Sequence, residues 1–297
     1  MVEITSVSKR FGTITAVDSL GFEIDKGEVV GFVGVNGAGK STTIAMMLGF
    51  ISPSEGSIQL FGEKITPATA HVSHKRVGYA AGDMELFERL TGRQYIEFIL
   101  ASHGTRTTKR LDELSSLLQP QLEKKIGNLS RGNKQKIALI AAFVTNPDLV
   151  ILDEPTSGLD PLMQQAFLQL IRQEREKGTT IFMSSHILSE VADVCSRVIV
   201  IANGKIVRDS DAAAYEKAGQ KRVHVIAAKL LKAPKGALEV SSIIMPNKKH
   251  QLDFVFHGHV KGLQTWLGNV VQLDDFSITD HGLEDAVNDI YSKEDER

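Results

Sequence analysis

The sequence contains a single cysteine, Cys195, among its 297 residues. One thiol cannot form an internal disulfide, and it has no second thiol with which to share a zinc ion. A reducing compartment is therefore expected. The neighbours of Cys195 in the stretch VADVCSRVIVI are apolar. This indicates an inert thiol packed in a core, because free cysteine is among the most buried residue types.

Long apolar runs are also absent, since none approaches the roughly 20 residues that a helix needs to span a bilayer. The start, MVEITSVSKRFG, lacks the basic and then apolar blocks of a secretion signal. No excess of one charge exists either, because 34 Lys and Arg stand against 36 Asp and Glu. These absences predict a soluble, cytoplasmic chain, and they give a nucleic-acid partner no electrostatic support.

The length and the ordinary composition, with 42% hydrophobic and 24% charged residues, predict a globular protein of two domains. Strand and helix patterns alternate over residues 1–210, which indicates an α/β domain with a parallel sheet covered by helices. A helical insert is predicted at about 84–145. Residues 211–297 are predicted to form a small α+β domain of three or more strands and two helices. In that domain His257 and His259 could share a strand face, but no further ligands accompany them, so a metal site is disfavoured.

The stretch GVNGAGKST has the phosphate-loop pattern directly after a predicted strand and directly before a predicted helix. Its glycines let backbone N–H groups turn toward phosphate oxygens, and the helix N-terminus adds a positive end. Lys40 would supply a point charge to the β and γ phosphates, and Ser41 would hold Mg²⁺. The predicted nucleotide-binding residues of this phosphate loop are Gly34, Val35, Asn36, Gly37, Ala38, Gly39, Lys40, Ser41 and Thr42.

The stretch LVILDEPTSGLD places Asp153 and Glu154 where a buried strand ends. Ligands of parallel sheets bind outside the carboxyl ends of the strands. At such an edge Asp153 fits a Mg²⁺ ligand acting through water, and Glu154 fits a general base for the attacking water. His186 ends a later strand, in TTIFMSSH, and could reach the γ phosphate from the same rim. The predicted catalytic residues are therefore Glu154 and His186.

A second anion site is indicated by LSRGNKQK, which precedes an apolar run predicted as a buried helix. Ser130 can cap that helix and donate to a phosphate, and Gly132 lets the backbone approach closely. The helix dipole would favour an anion there by ~0.3 to 2 kcal/mol. Taken alone, this octet leaves open that Ser130 is only an N-cap.

In this order, GVNGAGKST, LSRGNKQK, LVILDEP, SGLD and SSH resemble the motifs of the ATP-binding subunit of an ABC transporter. The resemblance covers about the first 210 residues and implies a P-loop ATPase core with a RecA-like parallel sheet and an antiparallel part. It implies ATP and Mg²⁺ as cofactors, and two ATPase domains docked head to tail, with the signature helix of one over the ATP of the other. It also implies that Phe11 stacks on adenine beside Val17. Further nucleotide-contacting residues implied in the signature and SGLD motifs are Leu129, Ser130, Arg131, Gly132, Asn133 and Asp160.

The form LSRGNKQK and the ending LEDAVNDIY are more similar to the bacterial branch of drug, peptide and lantibiotic exporters than to nutrient importers. The resemblance implies separate transmembrane permease subunits, a second ATPase subunit that is identical or related, and a position at the inner face of the membrane. Two other classes stay open. A soluble ATPase acting on DNA or ribosomes typically has a long coiled coil or two cassettes, and an importer subunit typically has a larger all-β regulatory tail.

Two departures from the family pattern stand out. After VGY, where the family usually has Gln and this branch often Glu, an ungapped match places Gly82. Either Asp83 serves as the Mg²⁺ ligand by a one-residue shift, or the loop works without that ligand. Arg131 and Asn133 also replace the common Gly and Gln of the signature, which is interpreted as variation within the branch.

Overall fold

The computed structural model describes residues 1–82, 85–105, 109–186, 191, 193–212, 220–257, 260–270 and 272–280. Contacts within the chain divide it into two compact units, Met1–Asp211 and Ala212–Arg297. The strands of the first unit are β1 (Val2–Phe11), β2 (Ile14–Ile24), β3 (Val29–Val33), β4 (Glu55–Leu60), β5 (Glu63–Lys64), β6 (Val77–Ala81), β7 (Leu149–Asp153), β8 (Thr180–Ser185), β9 (Arg197–Ala202) and β10 (Lys205–Asp211). Among the described residues, its helices are α1 (Lys40–Met47), α2 (Ala70–His74), α3 (Gly92–Ser102), α4 (Lys109–Leu118), α5 (Arg131–Phe143) and α6 (Pro161–Glu176).

The described residues of the first unit form two sheets. An antiparallel sheet has the order β2-β1-β4-β5, and a six-stranded sheet has the order β10-β9-β3-β8-β7-β6. All neighbours in the larger sheet are parallel except β9 and β10, which form a hairpin. Asn203 and Gly204 both have positive φ at its turn, as a type I′ turn requires. Helices α3, α4 and α5 come between β6 and β7, so the predicted class of fold is confirmed.

An aromatic cluster joins the two sheets. Phe22 of β2, Phe32 of β3 and Phe182 of β8 have ring centroids 5.2 to 6.0 Å apart. Each such buried side chain contributes up to about 1.5 to 3 kcal/mol relative to exposure. The cluster therefore anchors β3, whose carboxyl end leads directly into the phosphate loop.

The single cysteine is buried, as the sequence predicts. Burial raises the pKa of the Cys195 thiol well above its usual range. The sulfur lies against β3, where a Cβ at Gly31 would approach it to 3.3 Å. In the part of the chain that the structure describes, no helix is both long and apolar enough to cross a bilayer.

The described residues of the second unit form a four-stranded antiparallel sheet with one helix on it. Its elements are β11 (Gln220–Ala227), β12 (Ala237–Ile244), β13 (His250–His257), α7 (Val260–Gly268) and β14 (Leu273–Asp280), and the strand order is β12-β13-β11-β14. Trp266 of α7 packs edge-on against Phe254 of β13, with centroids 5.2 Å apart. The predicted second helix, the side chain of His257 and all of His259 lie outside the described residues.

Candidate active site

The site is built at the carboxyl edge of the six-stranded sheet. The register pairs Val33 of β3 with Ser185 of β8, and Asp153 of β7 with Ser184 of β8. These strands are parallel, so the residues that follow them emerge at the same edge. The structure thereby brings the phosphate loop, Glu154 and His186 together, although they are up to about 150 residues apart in sequence.

The phosphate loop curls by means of two glycines with positive φ. Gly37 has a φ of 86° and Gly39 has a φ of 111°, conformations that L side chains rarely adopt. Gly39 is the N-cap residue of α1, so the unpaired N–H groups at the helix start face the loop. In this loop Val35, Asn36, Gly37 and Ser41 are exposed, Thr42 is half-buried, and Gly34, Ala38, Gly39 and Lys40 are buried.

Lys40 is drawn into the loop, and its side chain is only 5% exposed. Its ammonium donates to the carbonyl oxygens of Gly34 at 2.6 Å and Val35 at 3.2 Å. The same ammonium lies 3.1 Å from Oε1 of Glu154. A phosphate bound in this loop would therefore share its principal cation with the Glu154 carboxylate.

Glu154 is held from three sides. Its backbone has a φ of 50°, which is uncommon for a non-glycine residue, and its N–H donates to the Ser184 hydroxyl at 3.0 Å. The Oε2 atom is hydrogen-bonded to Nδ1 of His186 at 2.5 Å, while Oε1 faces Lys40. Such contacts fix the direction of both carboxylate oxygens, as a general base needs.

Ser184 is a site residue that the sequence reasoning missed. Its hydroxyl donates to Oδ1 of Asp153 at 2.5 Å while accepting the N–H of Glu154, so it orients both acidic residues. The signal for it was its place at the end of a strand adjacent to the one carrying Asp153. On the neighbouring strand β6, burial and then the charge of Asp153 raise the pKa of the Tyr79 phenol to about 12.

Gly82 packs closely against the segment that follows β7. Its N–H donates to the carbonyl oxygen of Asp153 at 2.8 Å. A Cβ at this position would lie 2.8 Å from the carbonyl oxygen of Glu154 and 3.0 Å from Cβ of Ser157. No side chain fits there unless the backbone moves. Asp83, predicted as a metal ligand, lies outside the described residues.

The two residues predicted to contact adenine, Phe11 and Val17, differ in how deeply they are buried. Phe11, at the end of β1, is 50% exposed and is available for stacking. The ammonium of Lys9 lies 5.1 Å from the Phe11 ring centroid. Val17 is fully buried, and a Cβ at Gly39 would lie 3.4 Å from its side chain. Val17 thus supports the phosphate loop from below, whereas Phe11 offers an open ring face.

The predicted signature residues surround the start of α5. Ser130 is its N-cap residue, and the hydroxyl accepts from the backbone N–H of Asn133 at 3.4 Å and from its side-chain amide at 3.2 Å. Leu129 is buried beneath this turn, while Arg131 is exposed. In SGLD, Asp160 caps α6 through the N–H of Met163 at 3.0 Å.

Comparison with known proteins identifies the family. The family model described as ABC transporter matches residues 17–157. The chain is 35% identical over 212 residues to the bacitracin transport ATP-binding protein BcrA of Bacillus licheniformis, covering 70% of this chain and 69% of that protein. It is 36% identical over 210 residues to the Nod factor export ATP-binding protein I of Burkholderia thailandensis, covering 69% and 68% respectively.

A solved structure of an ATP-binding subunit of an ABC transporter superposes with a TM-score of 0.65 at 28% identity, covering 73% of this chain and 92% of that one. The family-model match, residues 17–157, includes the phosphate loop, the signature turn and the acidic strand end. This chain therefore belongs to the ABC transporter family of ATP-binding proteins, and its enzymatic activity is that of an ATPase.

Proposed function

We propose that the chain is the ATP-hydrolysing subunit of a membrane exporter, and that two such subunits dock head to tail around ATP. The observation that carries the proposal is the convergence of Lys40, Glu154 and His186 at one sheet edge, since these groups can bind and cleave a γ phosphate. The name of the Burkholderia relative refers to export, and that of the Bacillus relative refers to bacitracin transport. These names support the choice of an exporter.

In the proposed reaction the backbone N–H groups of the phosphate loop and Lys40 bind the β and γ phosphates. Glu154 accepts the proton of the attacking water, and His186 keeps the accepting carboxylate in place through the bond to Oε2. The Lys40 ammonium contacts Oε1 of Glu154, so one cation lies within reach of both the general base and the phosphate site.

Mg²⁺ fits the donor set at this edge. Mg²⁺ is a hard cation that takes oxygen ligands, commonly one or two from carboxylates or hydroxyls together with phosphate oxygens. Ser41 stands exposed in the first turn of α1, and Asp153 ends β7 with its carboxylate oriented by Ser184. When bound, the ion would neutralise charge that develops on the phosphates. We propose Ser41 and Asp153 as its protein ligands, with Asp83 as a further candidate.

The signature turn, Leu129 to Asn133, would bind the ATP of the partner subunit. The start of α5 offers a helix N-terminus, the Ser130 hydroxyl and a backbone made accessible by Gly132, all of which favour an anion. We call the pairing of one chain's phosphate loop with the other chain's signature turn a composite site. Two composite sites would form in each dimer, and the partner is an identical or related subunit.

The helical insert carries an exposed aromatic cluster. Phe87, Tyr95 and Phe98 form an aromatic cluster with neighbouring ring centroids 5.7 to 5.8 Å apart. Phe87 and Phe98 remain more than half exposed. Exposed apolar clusters of this kind are typical of interaction sites. We propose that separate transmembrane subunits bind here, which would hold the chain at the inner face of the membrane, and we expect no nucleic-acid partner.

A mixing experiment tests the composite sites. Lys40→Ala removes the cation of the phosphate loop, and Ser130→Arg blocks the signature turn, so each variant alone should be inactive. A mixed dimer pairs the intact loop of the Ser130→Arg chain with the intact signature of the Lys40→Ala chain. Partial recovery of ATPase activity is expected, because at most about half of the dimers in an equal mixture are mixed and residues of one catalytic unit act non-additively.

The control is an equal mixture of Lys40→Ala with Glu154→Gln. In that mixed dimer the intact phosphate loop belongs to the Glu154→Gln chain, which lacks the general base. That mixture should stay inactive. Failure of the first mixture to recover activity, while labelled subunits demonstrably exchange, would contradict the proposed arrangement.

A further inference from the structure

The first turns of α5 are hydrogen-bonded to the segment that follows β7 in the same chain. Nη2 of Arg131 donates to the hydroxyl of Ser157 at 2.9 Å. One turn later, the buried amide of Gln135 donates to the carbonyl oxygen of Pro155 at 2.9 Å. The signature turn is therefore bonded to the loop that carries Glu154.

Close packing reinforces these bonds. A Cβ at Gly132 would lie 2.8 Å from the carbonyl oxygen of Gly158. A Cβ at Gly158 would lie 3.2 to 3.3 Å from three atoms of the Arg131 side chain. The stem of Arg131 thus lies along the segment before its guanidinium reaches Ser157. A displacement of the start of α5 would therefore also shift residues 157 and 158.

Ser157 is part of the turn that holds Glu154. The carbonyl oxygen of Glu154 accepts the N–H of Ser157 at 3.1 Å. Glu154 itself has a φ of 50°. A backbone conformation of this kind costs of order 1 to 3 kcal/mol and persists only when its surroundings hold it. Arg131 supplies part of that restraint, because it fixes the far end of the turn.

We propose that Arg131 is a positioning residue, which holds Glu154 of its own chain through Ser157. The inference rests on the proposed function, in which Glu154 is the general base. It goes further, because the turn that binds the partner's ATP then also orients the base of the chain's own composite site. A glycine at position 131 has no side chain with which to make this bond, so the link depends on the departure from the common signature.

The mixed dimer of the Lys40→Ala and Ser130→Arg chains distinguishes this role from direct contact with nucleotide. Its active composite site takes Glu154 from the Ser130→Arg chain and the signature turn from the Lys40→Ala chain. Arg131→Ala added to the chain that supplies Glu154 should lower the ATPase rate about tenfold, since small displacements of catalytic groups cost up to a hundredfold. Added to the other chain, where Arg131 belongs to the turn that faces nucleotide, it should instead raise the half-saturating ATP concentration and lower the rate at saturating ATP less than on the first chain.

Ser157→Ala provides a second variant that removes only a hydroxyl. Placed on the chain that supplies Glu154, it should reproduce the effect of Arg131→Ala, and the two changes together should be no worse than either alone. The half-saturating ATP concentration should stay within about twofold, because ground-state binding is not altered. Arg131→Lys, which retains a donor, should recover part of the rate, whereas Arg131→Met should not.

Arg93→Ala is the matched control. It removes an arginine of the helical insert that donates to Glu123 at the same kind of distance, 2.8 Å, and it should leave the rate unchanged. A loss of rate only when Arg131→Ala is on the signature-supplying chain would overturn the proposal, as would an inert Ser157→Ala. If the mixture of Lys40→Ala and Ser130→Arg chains shows no recovery even without a change at Arg131, the proposed composite sites are rejected. That result is distinguishable from a failure of the role proposed for Arg131.

Discussion

A methyl group added at Gly39 should damage the phosphate loop more than one added at Gly37. Both positions have positive φ, so Gly37→Ala and Gly39→Ala each impose backbone strain of about 1 to 3 kcal/mol. At Gly37 a Cβ meets nothing within 4 Å. At Gly39 it would lie 2.7 Å from the carbonyl oxygen of Ala16, in β2. This is well inside the roughly 3.3 Å at which carbon and a carbonyl oxygen ordinarily meet.

Overpacking against a fixed neighbour adds about 1 to 3 kcal/mol. Since about 1.4 kcal/mol corresponds to tenfold in affinity, the extra contact at Gly39 should weaken ATP binding roughly 5- to 150-fold beyond the effect of Gly37→Ala. Calorimetric titration with ATP measures the difference directly. Strain in the phosphate loop lowers the affinity because ATP binds only to the native backbone conformation of that loop.

Gly178→Ala is the control for strain alone. Gly178 has a φ of 81°, its Cβ would meet nothing within 4 Å, and it precedes the amino end of β8, at the edge of the sheet opposite the site. This variant should lower the melting temperature while leaving the affinity for ATP unchanged. Equal affinities for Gly37→Ala and Gly39→Ala would refute the steric reasoning, because close contacts, above all with the Ala16 carbonyl, exist at Gly39 and not at Gly37.

Two other predictions concern turnover and the metal. Glu154→Gln should leave ATP binding intact, abolish turnover and shift the full chain from monomer to dimer with ATP but not with ADP, whereas Lys40→Ala should weaken ATP binding itself. Light scattering measures the dimerisation and an ATPase assay measures the turnover. Substantial turnover by Glu154→Gln would reject Glu154 as the general base. Asp83→Ala should reduce Mg²⁺-dependent ATPase activity, since it is the carboxylate beside Gly82, and an unchanged Mg²⁺ titration would exclude Asp83 as a ligand.

Much of the fold and the centre of the site could be predicted from the sequence. A phosphate loop between a strand and a helix, and acidic residues after an apolar run, both depend on local patterns. The N-cap role of Ser130 also follows from its position before a buried helix. The shared sheet edge could be inferred because parallel strands bring their carboxyl ends together.

Other features could not be predicted because they depend on register and packing. The bridge made by Ser184 exists because β7 and β8 align Asp153 opposite it. The full burial of Val17 depends on the packing of β2 beneath the loop. The bond between Arg131 and Ser157 joins residues 26 positions apart whose approach is set by where α5 begins. No local pattern in the chain contains this information.

The buried state of Cys195 has a practical consequence for these experiments. Maleimide and related dyes react with an accessible thiolate, and this thiol is both enclosed and held protonated. The chain contains no other cysteine. New cysteines introduced at exposed positions can therefore be labelled selectively in the otherwise unmodified chain. Donor and acceptor dyes on separate preparations would then report subunit exchange by energy transfer during the mixing experiment, without a cysteine-free background.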